Sequence, residues 1–269
     1  MAAQSRDRLE KAFGRGIQPV ESACLLTDEI NNRTRGVHNK LHAIPNLKLV
    51  FALCDHAVYR EYLRTFYWVY KTLDDELDKA SDGRINAITK LFHKPRSAAI
   101  LQDLQFWFGG PSSQSIVRSP RGKLEREVVR HIHTIAKEEP LALIAWCHVM
   151  YLALFAGGVV VRSTIMHSLG FMRKSEDGNG AELYNLKDPE SLRTSLRRQI
   201  NEAGTSMTDA QRTRVLDESV ATFVWTTRLI EGLSLQQTSG VYMWTKRIVG
   251  MVTAFLAIFL LRRIVWWCL

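Results

Sequence analysis

Cysteine is scarce, and its spacing carries nothing. The four residues (Cys24, Cys54, Cys147 and Cys268) form no CxxC pair. That argues against a zinc ribbon, a thioredoxin-like redox motif and a disulfide-framed secreted scaffold, and it fits a reducing compartment. Metal-ligand spacing is missing too: the chain has no HExxH, no Glu-x-x-His pair and no Cys/His cluster,. There is no GxSxG, P-loop or dinucleotide fingerprint, and the short FGG and AGG strings are too brief to count as one,. No segment alternates polar and apolar residues with period two, and no internal repeat is visible. Helix-turn-helix, zinc-finger and aromatic single-strand signatures are absent, so no nucleic-acid partner is expected.

What is present is helix-forming. The 269 residues are 46% hydrophobic, with only seven prolines, enough for one large all-α domain with a substantial core,. Thirty-six basic residues against 27 acidic ones give a net charge of +9. That excess favours an anionic partner: a membrane surface, an acidic protein or an acidic ligand.

The most unusual stretch is 146–164, WCHVMYLALFAGGVVVRST, an almost wholly apolar helix with Gly157 and Gly158 side by side. Each glycine in a helix costs about 1 kcal/mol relative to alanine. Such a helix bends at the pair, packs closely on another helix, or lets something flat lie against bare backbone.

Around it the periodicity predicts further helices. One starts at Thr27 as N-cap, with Asp28 and Glu29 in its first turn and Ile30, Thr34, Val37 and Leu41 on one face. Short 47–54 and long 58–77 segments follow, the latter stopped by Asp82-Gly83. Helices over 97–108 and 122–138 come next, the first ended by Gly109-Gly110-Pro111. Pro140 opens the glycine-bearing helix. Asp188-Pro189 starts another that stops at Gly204, and Thr208 with Gln211 forms a capping box opening the helix to Glu231.

Residues 248–261, IVGMVTAFLAIFLL, carry no charge and are flanked by Lys246-Arg247 and Arg262-Arg263, with Trp266-Trp267 beyond. The run is shorter than the roughly 20 residues of a full span. Snorkelling arginines and an aromatic belt extend it to the chain end. The expected organisation is an N-terminal segment 1–24, a helical domain 25–233, a linker 234–247 and a C-terminal membrane anchor 248–269, with the body on the cytosolic side.

Among polar residues, His131 and His133 read as surface positions, and Asp74-Asp75-Glu76 as a solvated helix turn. His38 sits beside the inward stripe of the first helix, where it reads as a satisfied core histidine or as a ligand.

Several stretches, in order, resemble the heme oxygenases. RTRGVHNKLHAI is similar to the segment around that family's iron-ligating histidine. YWVYKTLDDEL resembles its Tyr-x-x-Tyr-x-x-Leu-acid-acid-acid stretch, and LQDLQFWFGG its Asp-Leu-x-Phe-Trp-Tyr-Gly. YLALFAGG takes the place of its distal-helix signature, and SMTDAQRTRVLDESVATF that of its penultimate helix. The tail resembles the anchor of its membrane-bound members.

The resemblance implies an all-α bundle that sandwiches heme between its first helix and a glycine-kinked distal helix. Heme is then cofactor and substrate, opened to biliverdin with release of iron and carbon monoxide, using O₂ and electrons from an NADPH-dependent flavoprotein reductase. By the same carry-over His38 ligates iron, and Gly157 and Gly158 let backbone approach the heme face. Arg193 and Arg197 pair with the propionates, for which guanidinium forks suit. The expected location is the endoplasmic reticulum membrane, facing the cytosol.

The chain departs from the family pattern where Gly-Asp-x-x-Gly-Gly becomes Ala153-Leu154-Phe155-Ala156-Gly157-Gly158. Leu154 replaces the acid that orders distal water, His148 stands where a tyrosine is common, and Asn31 replaces a propionate-contacting lysine. A second reading is therefore a heme-binding relative that is non-catalytic or peroxidase-like, and a third is a helical adaptor without heme.

Overall fold

The structure is a computed structural model, and it describes residues 25–41, 56–92, 94–109, 117–168 and 180–233, with backbone alone at 38–41, 56 and 167–168. Among these residues every regular element is a helix. The helices are α1 (Leu26–Leu41), α2 (His56–Lys79), α3 (Gly83–Thr89), α4 (Arg96–Phe108), α5 (Lys123–Glu138), α6 (Leu143–Trp146), α7 (Leu152–Ser168), α8 (Pro189–Thr205) and α9 (Asp209–Glu231). The predicted 47–54 helix and the 248–269 anchor lie outside the described residues.

α2 is the central rod, because its periodic apolar residues leave one side with no contact to water. Tyr59, Leu63, Phe66, Tyr70, Leu73 and Leu77 are all buried along it, at the spacing that makes one helical face. α4 and α5 pack against it, α1 lies along α9, and α7 along α8. The α2–α5 contact buries a charge pair: Arg64 donates to Glu125 at 2.6 Å, with side chains 5% and 7% exposed. Glu61 holds the same guanidinium at 2.7 Å from the solvent side.

Several helix boundaries follow their caps. Asp188, at φ 52°, accepts from the Ser191 N–H and places Pro189 in the first turn of α8. The Thr208/Gln211 capping box is complete at α9. Gly109 ends α4 at φ 83°, the left-handed conformation glycine takes without strain,. At Gly204 a Cβ would come within 2.8 Å of the Leu26 Cβ, so glycine lets α1 cross α8 closely.

Four expectations are corrected. Thr27 is not a cap: α1 begins at Leu26, the Asp28 and Glu29 N–H groups donate to the Leu25 carbonyl, and the Thr27 N–H donates to Asn201 Oδ1. Asp82-Gly83 does more than stop α2, since the Asp82 carboxylate accepts from the Arg84 N–H and starts α3, a helix not among those expected. His131 is no free surface residue: its Nε2 lies 2.8 Å from Oε1 of Glu218, which is only 2% exposed. Trp146 donates its indole N–H to that same oxygen at 2.8 Å. Finally, Asp74 is no solvated turn; it accepts from the Tyr151 hydroxyl and the Ser97 N–H, both at 2.9 Å.

Candidate functional site

α7 belongs to a helix that runs from Pro140 to Met166, long and apolar enough to cross a membrane by length and composition. More than half of that apolar window is buried inside the fold, so here it is a core helix. Its irregularity is not at the glycines. The helix widens into a π turn over Cys147–Tyr151, between α6 and α7, and Gly157 and Gly158 lie in regular helix. The pair therefore does not interrupt the α-helical pattern.

The two glycines do different work because they point about 100° apart around the axis. Gly158 faces inward, where an added Cβ would sit 3.6 Å from Tyr184 Cδ1 and Leu186 Cδ1. Gly157 faces outward, and a Cβ there would meet nothing within 4 Å. Ala153, Ala156 and Val160 share its face at helical spacing, and all three are exposed, Val160 by 69%. A helix buried on one side thus presents on the other a smooth apolar strip of small side chains, the shape a flat ring requires.

His148 stands at the head of that strip. Residues five apart stack in a π turn, which sets it one turn before Ala153. It is 5% exposed, and neither ring nitrogen has a hydrogen-bond partner among the described residues. Burial, with the nearby Arg197 charge, pushes its pKa down to about 4, so the imidazole is neutral at physiological pH,. A buried polar ring with both nitrogens idle costs stability, typically about 1–3 kcal/mol, and calls for a ligand or ordered water to satisfy it.

Arg197 links this helix to α1. It lies 3.5 Å from Asp28 in the first turn of α1, both side chains about half exposed. Arg193 pairs with Glu190 at 2.8 Å within α8. Exposed pairs of this kind contribute only about 0–1 kcal/mol, so both guanidinium groups can exchange their partner for a stronger anion. His38 falls on the last turn of α1, and its side chain lies outside the described residues. Leu154 is 5% exposed, in the core beside Gly158. Of the predicted residues, the fold brings His148 to Arg197 and Leu154 to Gly158, whereas Arg193 is held within its own helix.

Sequence reasoning missed the residues that aim this helix. Tyr151 stacks on Phe92, ring centroids 3.9 Å apart, and is tied to Asp74, whose carboxyl is raised by burial against the pull of its hydrogen bonds. Tyr184 packs on Gly158 and donates its hydroxyl proton to Tyr62 at 3.1 Å. The 182–184 turn is itself latched by Asp103, fully buried, which accepts from the Glu182 and Leu183 N–H groups at 2.6 and 2.8 Å. The only signal was an aspartate inside the apolar LQDLQFWF run. A cleft of about 480 Å³ beside Asp74 contains none of the predicted residues; Tyr67, Lys71, Asp75, Phe92 and Ser97 line it.

The heme oxygenase family model matches residues 25–232, which include every helix described above. The chain belongs to the heme oxygenase family. Within the family its sequence is 25% identical to the heme-binding protein HMX1 of Saccharomyces cerevisiae, over 76% of this chain and 74% of that one. It is 23% identical to heme oxygenase 1 of Nostoc, over 77% and 85%. The fold superposes on heme oxygenase 2 of Chlamydomonas reinhardtii, solved without heme, with a TM-score of 0.69 at 22% identity, covering 78% of this chain and 98% of that one. The corresponding values for heme oxygenase-1 of Synechocystis in complex with heme are 0.66 and 20%, covering 86% and 99%. The all-α bundle expected from the sequence is the family's fold.

Proposed function

We propose that this chain binds heme between α1 and the open strip of α7 and opens it to biliverdin, releasing iron and carbon monoxide. O₂ is the oxidant, and an NADPH-dependent flavoprotein reductase supplies the electrons. The observation that carries the reading is the small-residue strip Ala153, Ala156 and Val160, exposed around the half-buried Gly157 on an otherwise core helix and headed by a buried histidine with no hydrogen-bond partner among the described residues. Family membership supplies the ring that suits it. The yeast relative is named for binding heme and the Nostoc relative for oxygenating it.

The residues present fit that group. When bound, heme supplies the iron that takes up O₂ and the ring that is oxidised. Helical spacing puts Asn31, Arg35 and His38 on one face of α1, and His38 offers an imidazole nitrogen as axial ligand. Gly157 keeps the opposite face flat. Arg193 and Arg197, released from Glu190 and Asp28, pair with the two propionates. His148, being neutral, carries one N–H and one lone pair, and so can hold a water beside the strip as donor or acceptor. Leu154 cannot.

The second reading, heme binding without efficient ring opening, draws on that same leucine. Where the family pattern has a water-ordering carboxylate, this chain buries a hydrocarbon, and α7 carries no acid along its length. Proton supply to the distal side then falls to His148. Residues 248–269 are proposed to anchor the body to the endoplasmic reticulum membrane, facing the cytosol.

The deciding experiment titrates hemin into the protein, then follows one turnover under a reductase. The expected outcome is a sharp Soret band lost in His38→Ala and restored by imidazole, with biliverdin formed by the wild type and lost in His148→Ala. A Soret band indifferent to His38 refutes the ligand assignment. Bound heme that yields no biliverdin, together with a severalfold gain in Leu154→Asp, selects the second reading.

A further inference from the structure

α5 carries an exposed basic face that nothing in the proposed heme site uses. Six cations along 118–137 are exposed: Arg118, Arg121, Lys123, Arg126, Arg130 and Lys137. The acids in the same stretch are Glu125, buried against Arg64, and Glu127, which lies 3.8 Å from Lys123. Arg126, Arg130, His133 and Lys137 follow one another at helical spacing and line an open, shallow cleft of about 360 Å³ with Val129 and Pro120, and no acid lines it. Neighbouring groups temper this field only at its margin. His133 Nδ1 lies 3.1 Å from Glu76 of α2, Arg126 donates to the Arg121 carbonyl, and Glu138 and Glu139 close the helix at the far end.

The orientation of α5 says what this face meets. Ala136 of α5 and Gln211 of α9 line a common cleft, while His131 lies 5.7 Å from Trp225, near the other end of α9. The two helices therefore run in opposite senses, and the Lys123 end of α5 is directed away from the start of α9 at Asp209. Thirty-six more residues follow Leu233, including the uncharged run 248–261 between two basic pairs. The described residues thus stop, at Leu233, on the side toward which the Lys123 end of α5 is directed.

We infer that the basic face of α5 docks on an anionic lipid bilayer, its guanidinium groups on lipid phosphates and carboxylates, holding the body against the membrane that the tail enters. The choice of a bilayer over an acidic protein rests on the anchor reading. Juxtamembrane cations bind anionic leaflets through such contacts, and the attraction fades within a Debye length, which makes it sensitive to salt.

The test uses the full chain in nanodiscs of neutral lipid or of lipid containing phosphatidylserine. Cys24, Cys54 and Cys268 are replaced by serine, and a fluorophore is placed at Thr134→Cys in the cleft or at Glu190→Cys on α8. A headgroup-borne quencher should quench the Thr134 probe severalfold more than the Glu190 probe on anionic discs. The difference should vanish on neutral discs, in 0.5 M salt (nearly half of the screening length at physiological ionic strength, about 8 Å, is lost by then), and in Arg126→Glu with Arg130→Glu. Equal quenching at the two positions, or no effect of charge reversal, overturns the inference. So does shielding of the Thr134 probe by an acidic flavodoxin but not by the bilayer.

Carbonate extraction of the same sample reports on the anchor alone. If carbonate releases the chain, flotation with phosphatidylserine vesicles tests the same face: loss of flotation on charge reversal supports the docking, and equal flotation refutes it.

Discussion

Asp103 offers the sharpest test of how this fold is held in shape for its site. Its side chain is 0% exposed, and each oxygen takes one backbone N–H from the 182–184 turn. That turn carries Tyr184 onto Gly158. In Asp103→Asn one oxygen remains, while the new NH₂ confronts the second N–H donor. The protonated carboxyl presents its O–H in the same way, so the variant should match the wild type wherever Asp103 is neutral, whereas Asp103→Leu, which leaves both N–H donors unpaired, should cost about 2–3 kcal/mol.

The pH dependence is a separate signature of the same carboxyl. Burial pushes it up to about 7, against the opposing pull of the Leu183 and Glu182 N–H groups. The unfolded value is near 3.9, so the folded state binds this proton more tightly. The stability this contributes is complete below about pH 4 and is lost as pH rises through about 7. Between pH 5 and 8 the wild type should therefore lose on the order of 2–3 kcal/mol that Asp103→Asn, with no proton to release, does not lose.

Denaturant titrations at pH 5, 6, 7 and 8 check both points. Fluorescence is a suitable readout, because the Trp107 indole donates to the Gly180 carbonyl at 2.8 Å beside the latch. Parallel pH profiles in wild type and variant would refute the titration argument. Asp103→Leu as stable as the wild type at pH 5 would refute the latch.

Two further substitutions separate stability from site. Gly204→Ala forces a Cβ to 2.8 Å from Leu26 and should destabilise by about 1–3 kcal/mol in thermal melts,. Gly157→Ala meets nothing, so it should leave stability unchanged or raise it by up to about 1 kcal/mol while weakening hemin binding; unaltered binding would count against the open strip. For the buried pair Arg64 and Glu125, Glu125→Leu alone should cost about 3–5 kcal/mol. Adding Arg64→Met should recover most of that loss, as a double-mutant cycle by urea denaturation would show.

Helix identity and most helix ends were legible in the sequence because they depend on local chemistry. The capping box at Thr208, the Asp188-Pro189 start and the glycine stop at Gly109 are read from neighbours within a turn, and each is in place. The family's motifs stood in order along the chain, which is why the fold class could be inferred without coordinates.

Whatever depended on residues far apart in sequence only the tertiary structure decided. Asp74, Asp103 and Glu218 look like ordinary helix acids until Tyr151, the 182–184 turn and His131 with Trp146 close on them from 70 to 90 residues away. Glycine spacing announced a special helix but not which glycine faces outward. That depends on helical phase, set when Tyr184 packs on Gly158 and leaves Gly157 uncovered. The idle imidazole of His148 is likewise a property of its surroundings. A sequence records which groups can form a hydrogen bond, whereas only packing decides which of them are buried without one.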